Sequence, residues 1–220
     1  MNKTPASITF NNYGTIERLV SGGNTNAIGL GITFLGNDIT TVPFAATREA
    51  IYRNASVTNQ SGGLIRGDSG SGILADGATS AFTVTVHNDS DATIRGGATL
   101  AGLGGSNAAI QTGADAGVIN NAGLIDGSSN GKAITGGSGG LVVNITGGSA
   151  SVLGDITGFD GVANTLTINP GTGNSFSYGG TIANFNTTTV SAGTFSLSGQ
   201  LPLALNGASR VSLAATASSS

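Results

Sequence analysis

One short phrase recurs along the chain and constrains its fold more than any other feature. An asparagine-containing turn leads through a small residue to an isoleucine anchor. It reads Asn12-Tyr13-Gly14-Thr15-Ile16, then Asn59 to Ile65, Asn88 to Ile94, and Asn121-Ala122-Gly123-Leu124-Ile125. Looser copies without the asparagine end at Ile156 and Ile182. From Ile65 onward the anchors are 29, 31, 31 and 26 residues apart, and the first step, Ile16 to Ile65, is 49. A period of this size marks an array of stacked units.

Each period carries further apolar points. A second site follows most anchors, at Ala27-Ile28, Gly72-Ile73, Ala109-Ile110 and Ala133-Ile134. A third is an alternating run: Phe82-Thr83-Val84-Thr85-Val86, Leu141-Val142-Val143-Asn144-Ile145 and Leu166-Thr167-Ile168. Alternation of period two puts one face inward and one outward. Each period therefore reads as two or three short strands joined by turns. Gly, Asn, Ser and Thr make up 109 of the 220 residues, and these are weak helix formers and good turn formers. The fold class that fits is all-β: a right-handed parallel β-helix (β-solenoid) of about six to seven coils, with Ile, Val and Leu stacked in a dry interior. Ile65, Ile94, Ile125 and Ile156 are expected to line up one above another. Asn11 or Asn12, Asn59, Asn88, and Asn120 or Asn121 sit four to six residues before their anchors, and some of them are expected to stack as a hydrogen-bonded amide ladder. Glycine and asparagine are expected at corners that need left-handed backbone.

The chain is read as a single β-helix over 1–220, with two departures. Residues 36–58, with Pro43 and the Arg48-Glu49 pair, are a degenerate coil or a protruding loop. Residues 214–220 are a frayed tail. Met1 to Pro5 contains no apolar run of signal-peptide length, and the repeat is under way by Ile8, so a segment of a longer protein is expected.

Composition removes several functions. Eight basic residues against 11 acidic ones do not make the basic surface that nucleic acid requires. Without cysteine there is no thiolate chemistry or disulfide framework. No stretch reaches the ~18 apolar residues of a membrane helix.

The phrases Gly63-Leu64-Ile65-Arg66-Gly67 followed by Gly72-Ile73, and Asn121 to Gly127 followed by Gly131-Lys132-Ala133-Ile134, resemble the degenerate coils of bacterial autotransporter (type V secretion) passenger domains. The resemblance covers most of residues 8–200. It implies a right-handed parallel β-helix displayed on the outer membrane of a Gram-negative bacterium, or secreted. It also implies a partner, the protein's own translocator barrel, lying outside this chain. In that family the stem is usually structural.

Several motifs suggest chemistry, and each has a plainer reading. Gly67-Asp68-Ser69-Gly70-Ser71 is similar to a serine-protease nucleophile loop. That chemistry needs a histidine base, and the single histidine, His87, follows Ser69 in the chain. Arg66-Gly67-Asp68 matches an integrin-type tripeptide, but Ile65-Arg66-Gly67 aligns with Ile94-Arg95-Gly96, Ile125-Asp126-Gly127 and Ile156-Thr157-Gly158, so it belongs to the repeat. His87 ends a strand and faces out. Asp89 and Asp91 could approach a calcium ion, without the repeat such sites use. The clusters Gly136 to Gly140 and Gly102 to Gly105 read as corners, since neither is followed by Lys-Ser/Thr. Asp126, Asp155 and Asp160 could meet as a carboxylate pair for glycan cleavage, with Phe159 and Tyr178 the large rings nearby.

The expectation is a structural stem and not an enzyme. No catalytic, cofactor-binding or metal-ligating residue is assigned, and no cofactor is expected. The alternatives are an adhesin binding glycan or protein through residues 36–58, and a polysaccharide-acting β-helix of tailspike or lyase type. Open strand edges would also allow end-to-end self-association.

Overall fold

The structure, a computed structural model, describes residues 8–18, 32–35, 54–67, 70–76, 82–97, 108–198 and 210–213. Among them there is no helix, and strands pair in parallel across long sequence gaps. An eight-stranded sheet stacks Ile8–Asn12, Ala55–Asn59, Thr83–Asn88, Ala116–Asn121, Leu141–Thr146, Asn164–Asn169, Thr187–Val190 and Arg210–Leu213 in sequence order. A five-stranded sheet stacks Thr15–Arg18, Leu64–Gly67, Thr93–Arg95, Leu124–Asp126 and Ser151–Leu153. A six-stranded sheet stacks Ile32–Leu35, Ile73–Asp76, Ile110–Thr112, Lys132–Thr135, Asp155–Thr157 and Ile182–Ala183. Ser175–Tyr178 and Thr194–Leu197 form a two-stranded sheet. The result is a solenoid-like all-β fold.

Alternation along each strand sets what points inward. Ala55–Asn59, Thr83–Asn88 and Leu141–Thr146 alternate buried and half-buried positions. Across coils the inward positions become columns. Val57, Val86, Ile119, Val143 and Leu166 form one. Ile73, Ile110, Ile134, Ile156 and Ile182 form another. These side chains belong to one continuous buried cluster. Burying each against its column neighbours is worth about 1.5–3 kcal/mol, and the neighbours come from other coils.

The anchor column is Ile16, Ile65, Ile94, Ile125 and Val152. Three of the four isoleucines expected to stack do so, but Ile156 does not. It lies in the second column, after Ile134, and Ile182 follows it there. The cause is a shortened corner. Between Ser151–Leu153 and Asp155–Thr157 only Gly154 intervenes, at a φ of 102° that suits glycine. Val152 therefore fills the anchor position, and Ile156 reaches the second column four residues later. The spacing of 31 residues imitates the period while joining two different columns. At the other end of that column Ile73 pairs with Ile32, not with the expected Ile28, which lies outside the described residues.

The disputed segment divides. Ala55–Asn59 is a strand inside the eight-stranded sheet, so residues 55–58 are part of the stack. Residues 36–53 and the tail 214–220 lie outside the described residues.

Candidate functional site

Asparagine occupies the inner end of four successive strands. Asn12, Asn59, Asn88 and Asn121 are in register and buried, with Asn59 and Asn121 fully enclosed. Asn12 Nδ2 donates to Asn59 Oδ1 at 2.8 Å, Asn59 Nδ2 to Asn88 Oδ1 at 3.0 Å, and Asn88 Nδ2 to Asn121 Oδ1 at 2.8 Å. Each amide also donates to the carbonyl just before the next coil's anchor: Leu64, Thr93, Leu124 and Ser151, at 3.0–3.3 Å. The ladder thus ties the eight-stranded sheet to the turn entering the five-stranded one, and buried polar groups stay paired. After Asn121 the same column continues as Ile145, Ile168 and Val190, so it changes from amide to aliphatic. The ladder asparagines do not adopt left-handed backbone. Among non-glycine described residues that conformation falls to Asp91 and Asn184, with φ near 60°.

Charged residues share one register position of the five-stranded sheet, at Glu17, Arg66, Arg95 and Asp126. Arg95 Nε donates to Asp126 Oδ2 at 2.8 Å. Ser128 caps the other oxygen, from its backbone N–H at 3.0 Å and its hydroxyl at 2.6 Å. Burial alone would raise the Asp126 carboxyl, but the Ser128 bonds and the Arg95 guanidinium outweigh it and hold the group below the usual value of 3.8. A group depressed in this way stabilises the fold above the unfolded pKa and loses that contribution as pH falls through the folded one. The Asp126→Asn variant should therefore be less stable than wild type at pH 7, with a gap that narrows below about pH 4. Urea melts at pH 7 and between pH 4 and 2 check this; a gap that stays constant with pH would remove the carboxylate as its cause.

The three acids that could meet stand on different elements. Asp126 and Asp155 stand in different sheets, with the corner Gly127–Gly131 between them. Asp155 Oδ1 accepts the Thr181 N–H at 2.8 Å. Asp160 sits in an exposed turn. Of the two rings, Phe159 is exposed, but Tyr178 is buried, so it offers no platform for a sugar. The Tyr178 hydroxyl lies 2.7 Å from the Gly154 carbonyl and 3.0 Å from that of Thr181. Burial, and then the Asp155 charge, raise its pKa well above the ordinary tyrosine range. Tyr178 stacks with Phe176, and Phe176 with Phe195, at centroid distances of 6.1 and 5.9 Å.

The remaining motifs fall into the framework. Ser69 and Asp68 lie outside the described residues. Gly67 packs so closely on Gly70 and Ser71 that a Cβ there would strike their backbone, which accounts for the glycine of Arg66-Gly67. Gly137 and Gly139 stack on the backbone of Gly113 and Asp115 in the same manner, while residues 102–105 lie outside the described ones. His87 is half-buried on the outer face as expected, with Asn120 Nδ2 3.4 Å from its Nδ1. Among the described residues no three His, Cys, Asp or Glu side chains are grouped to hold a metal.

Two features escaped the sequence reading. The Arg95–Asp126 pair was visible in principle, because both residues follow their anchor isoleucine directly. Asp115, fully buried, carries no such signal, being one acid in a glycine-rich turn. Asp126, Asp155 and the ladder amides direct their hydrogen bonds into the framework. Comparison with protein-family models, with curated proteins and with solved structures yields no match for this chain.

Proposed function

We propose that this chain is a structural stem, part of an autotransporter-like protein displayed on the surface of a Gram-negative bacterium or secreted from it. In this reading the stack is a right-handed β-helix of about six to seven coils, each coil adding about 4.7 Å to a rod. The observation that supports it most is the unbroken spine of stacked aliphatic and amide columns. That spine uses the inward side of the described strands for cohesion, and Asp126 and Asp155 are bonded within the framework.

The mechanism is presentational. A rod whose coils template on one another can fold as it emerges, and it holds other segments at a distance. Its partners are its own translocator barrel, outside this chain, and host or surface glycans or proteins. End-to-end association is a further partner mode. Strand edges that no further coil covers pair with neighbours.

The test places the chain between a signal sequence and a translocator barrel, with an epitope at its amino end, in a Gram-negative host. Surface labelling of the epitope is expected; retention of the folded chain inside would overturn the proposal. A glycan array and a cleavage screen separate the rival readings. Turnover lost on replacing Asp126, Asp155 or Asp160 would make it an enzyme. Binding lost on deleting residues 36–53, a cut that spares the strand Ala55–Asn59, would make it an adhesin. Light scattering of the same preparation should show association rising with concentration, and a persistent monomer would remove that mode.

A further inference from the structure

The outer face of the eight-stranded sheet carries a second polar column, built differently from the first. Thr58, His87, Asn120, Asn144, Thr167 and Thr189 are in register. Asn144 Nδ2 donates to Asn120 Oδ1 at 2.9 Å, and Asn120 Nδ2 approaches His87 Nδ1 at 3.4 Å. With Asn120 Nδ2 as the donor, the Nδ1 facing it is the acceptor nitrogen of a neutral imidazole.

The contrast with the inner ladder lies in what pins each amide. Every inner Nδ2 is also held by a backbone carbonyl, so those amides cannot turn over without losing bonds. Asn120 and Asn144 bond, among the described residues, only along their own column. Thr58 and Thr167 flank these three residues in the column, and a hydroxyl donates or accepts as required. The polarity of this column is therefore free to reverse, and the group that decides it is His87. A protonated imidazole is a donor at both nitrogens. It would face the Asn120 NH2 donor to donor, so Asn120 must turn its oxygen toward His87. Asn120 then presents its NH2 to Asn144, which must turn in step.

We propose that the His87–Asn120–Asn144 column is a proton-responsive switch: charging His87 reverses the hydrogen-bond direction of both asparagines. No titratable side chain opposes His87 from either adjacent strand. The facing residues are Thr58 on one side and Asn120 on the other, with Ser56 and Val118 flanking; the nearest acids in sequence, Asp89 and Asp91, lie in the turn after it. Charging His87 would thus give the outer face of the sheet a different pattern of donors and acceptors.

The test is a pH titration of the full 15N-labelled chain, following the His87 ring and the asparagine side-chain NH2 signals. Asn120 and Asn144 should shift with the same midpoint as His87, while the inner Asn121 signal stays level. In Asn120→Val, which matches the neighbouring outer positions Val118 and Val142, His87 should still titrate and Asn144 should lose its shift. In His87→Thr both asparagines should become flat. A level Asn144 signal in wild type, or one that still titrates in either variant, overturns the proposal.

Discussion

Replacing Asn88 with alanine is expected to destabilise the protein by about 3 kcal/mol, because the change leaves buried groups unpaired. Asn88 is 1% exposed and sits mid-ladder. Without its amide the Asn121 Oδ1 loses its donor at 2.8 Å and the Leu124 carbonyl loses the Asn88 bond at 3.1 Å, while the Ala92 carbonyl keeps the Leu124 N–H at 2.8 Å. Asn59 Nδ2 is less affected, since the Gly63 and Thr93 carbonyls still accept from it. A cavity the size of the amide adds to the loss. For a chain of this length 3 kcal/mol corresponds to a fall in Tm of about 6–12 °C. Asn144→Ala is the control: it removes the same amide from the outer face, where about 0.5 kcal/mol is expected. Thermal melts of the two variants decide the matter, and equal losses would show that the inner ladder does not hold the corner.

Gly127→Ala should be at least as damaging. Gly127 is the corner between the five- and six-stranded sheets, where its N–H donates to the Leu153 carbonyl at 2.8 Å and its carbonyl accepts the Gly131 N–H at 2.8 Å. A Cβ at this position would overlap the carbonyl of Lys132 and the amide nitrogen of Ala133. Those atoms are backbone, so the chain must shift instead of a side chain turning away. The shift would pull on Ile125 and Ile134, which flank the corner and lie in the two aliphatic columns. A loss of about 3 kcal/mol or more is expected. Gly14→Ala has open space around the new methyl and should melt close to wild type. If Gly127→Ala also melts close to wild type, the corner is looser than its packing indicates.

Particular residues show how far the sequence could be read. Asn59 and Asn88 read as ladder members because an asparagine stands four to six residues before each of the first four anchors. Asn120 and Asn121 could not be separated by spacing. The strand decides for Asn121, because Ile119 must face inward and alternation carries Asn121 with it. Asn120 then falls to the outer column, where its role is a different one. Ile156 was misplaced because a corner of one residue is invisible to a count of periods. The carboxylates of Asp126 and Asp155 looked free in the sequence, and only the stack reveals Arg95, Ser128 and the Thr181 N–H as their partners.

By itself the sequence determined the unit: short alternating strands, turns rich in glycine and asparagine, and a recurrence near thirty residues. These depend on neighbours along the chain, so they are written locally. Tertiary structure decided which residue of each unit shares a column with which residue of the next, and in which direction each amide donates. Those contacts join strands about twenty to fifty residues apart, and the length of every intervening corner moves them.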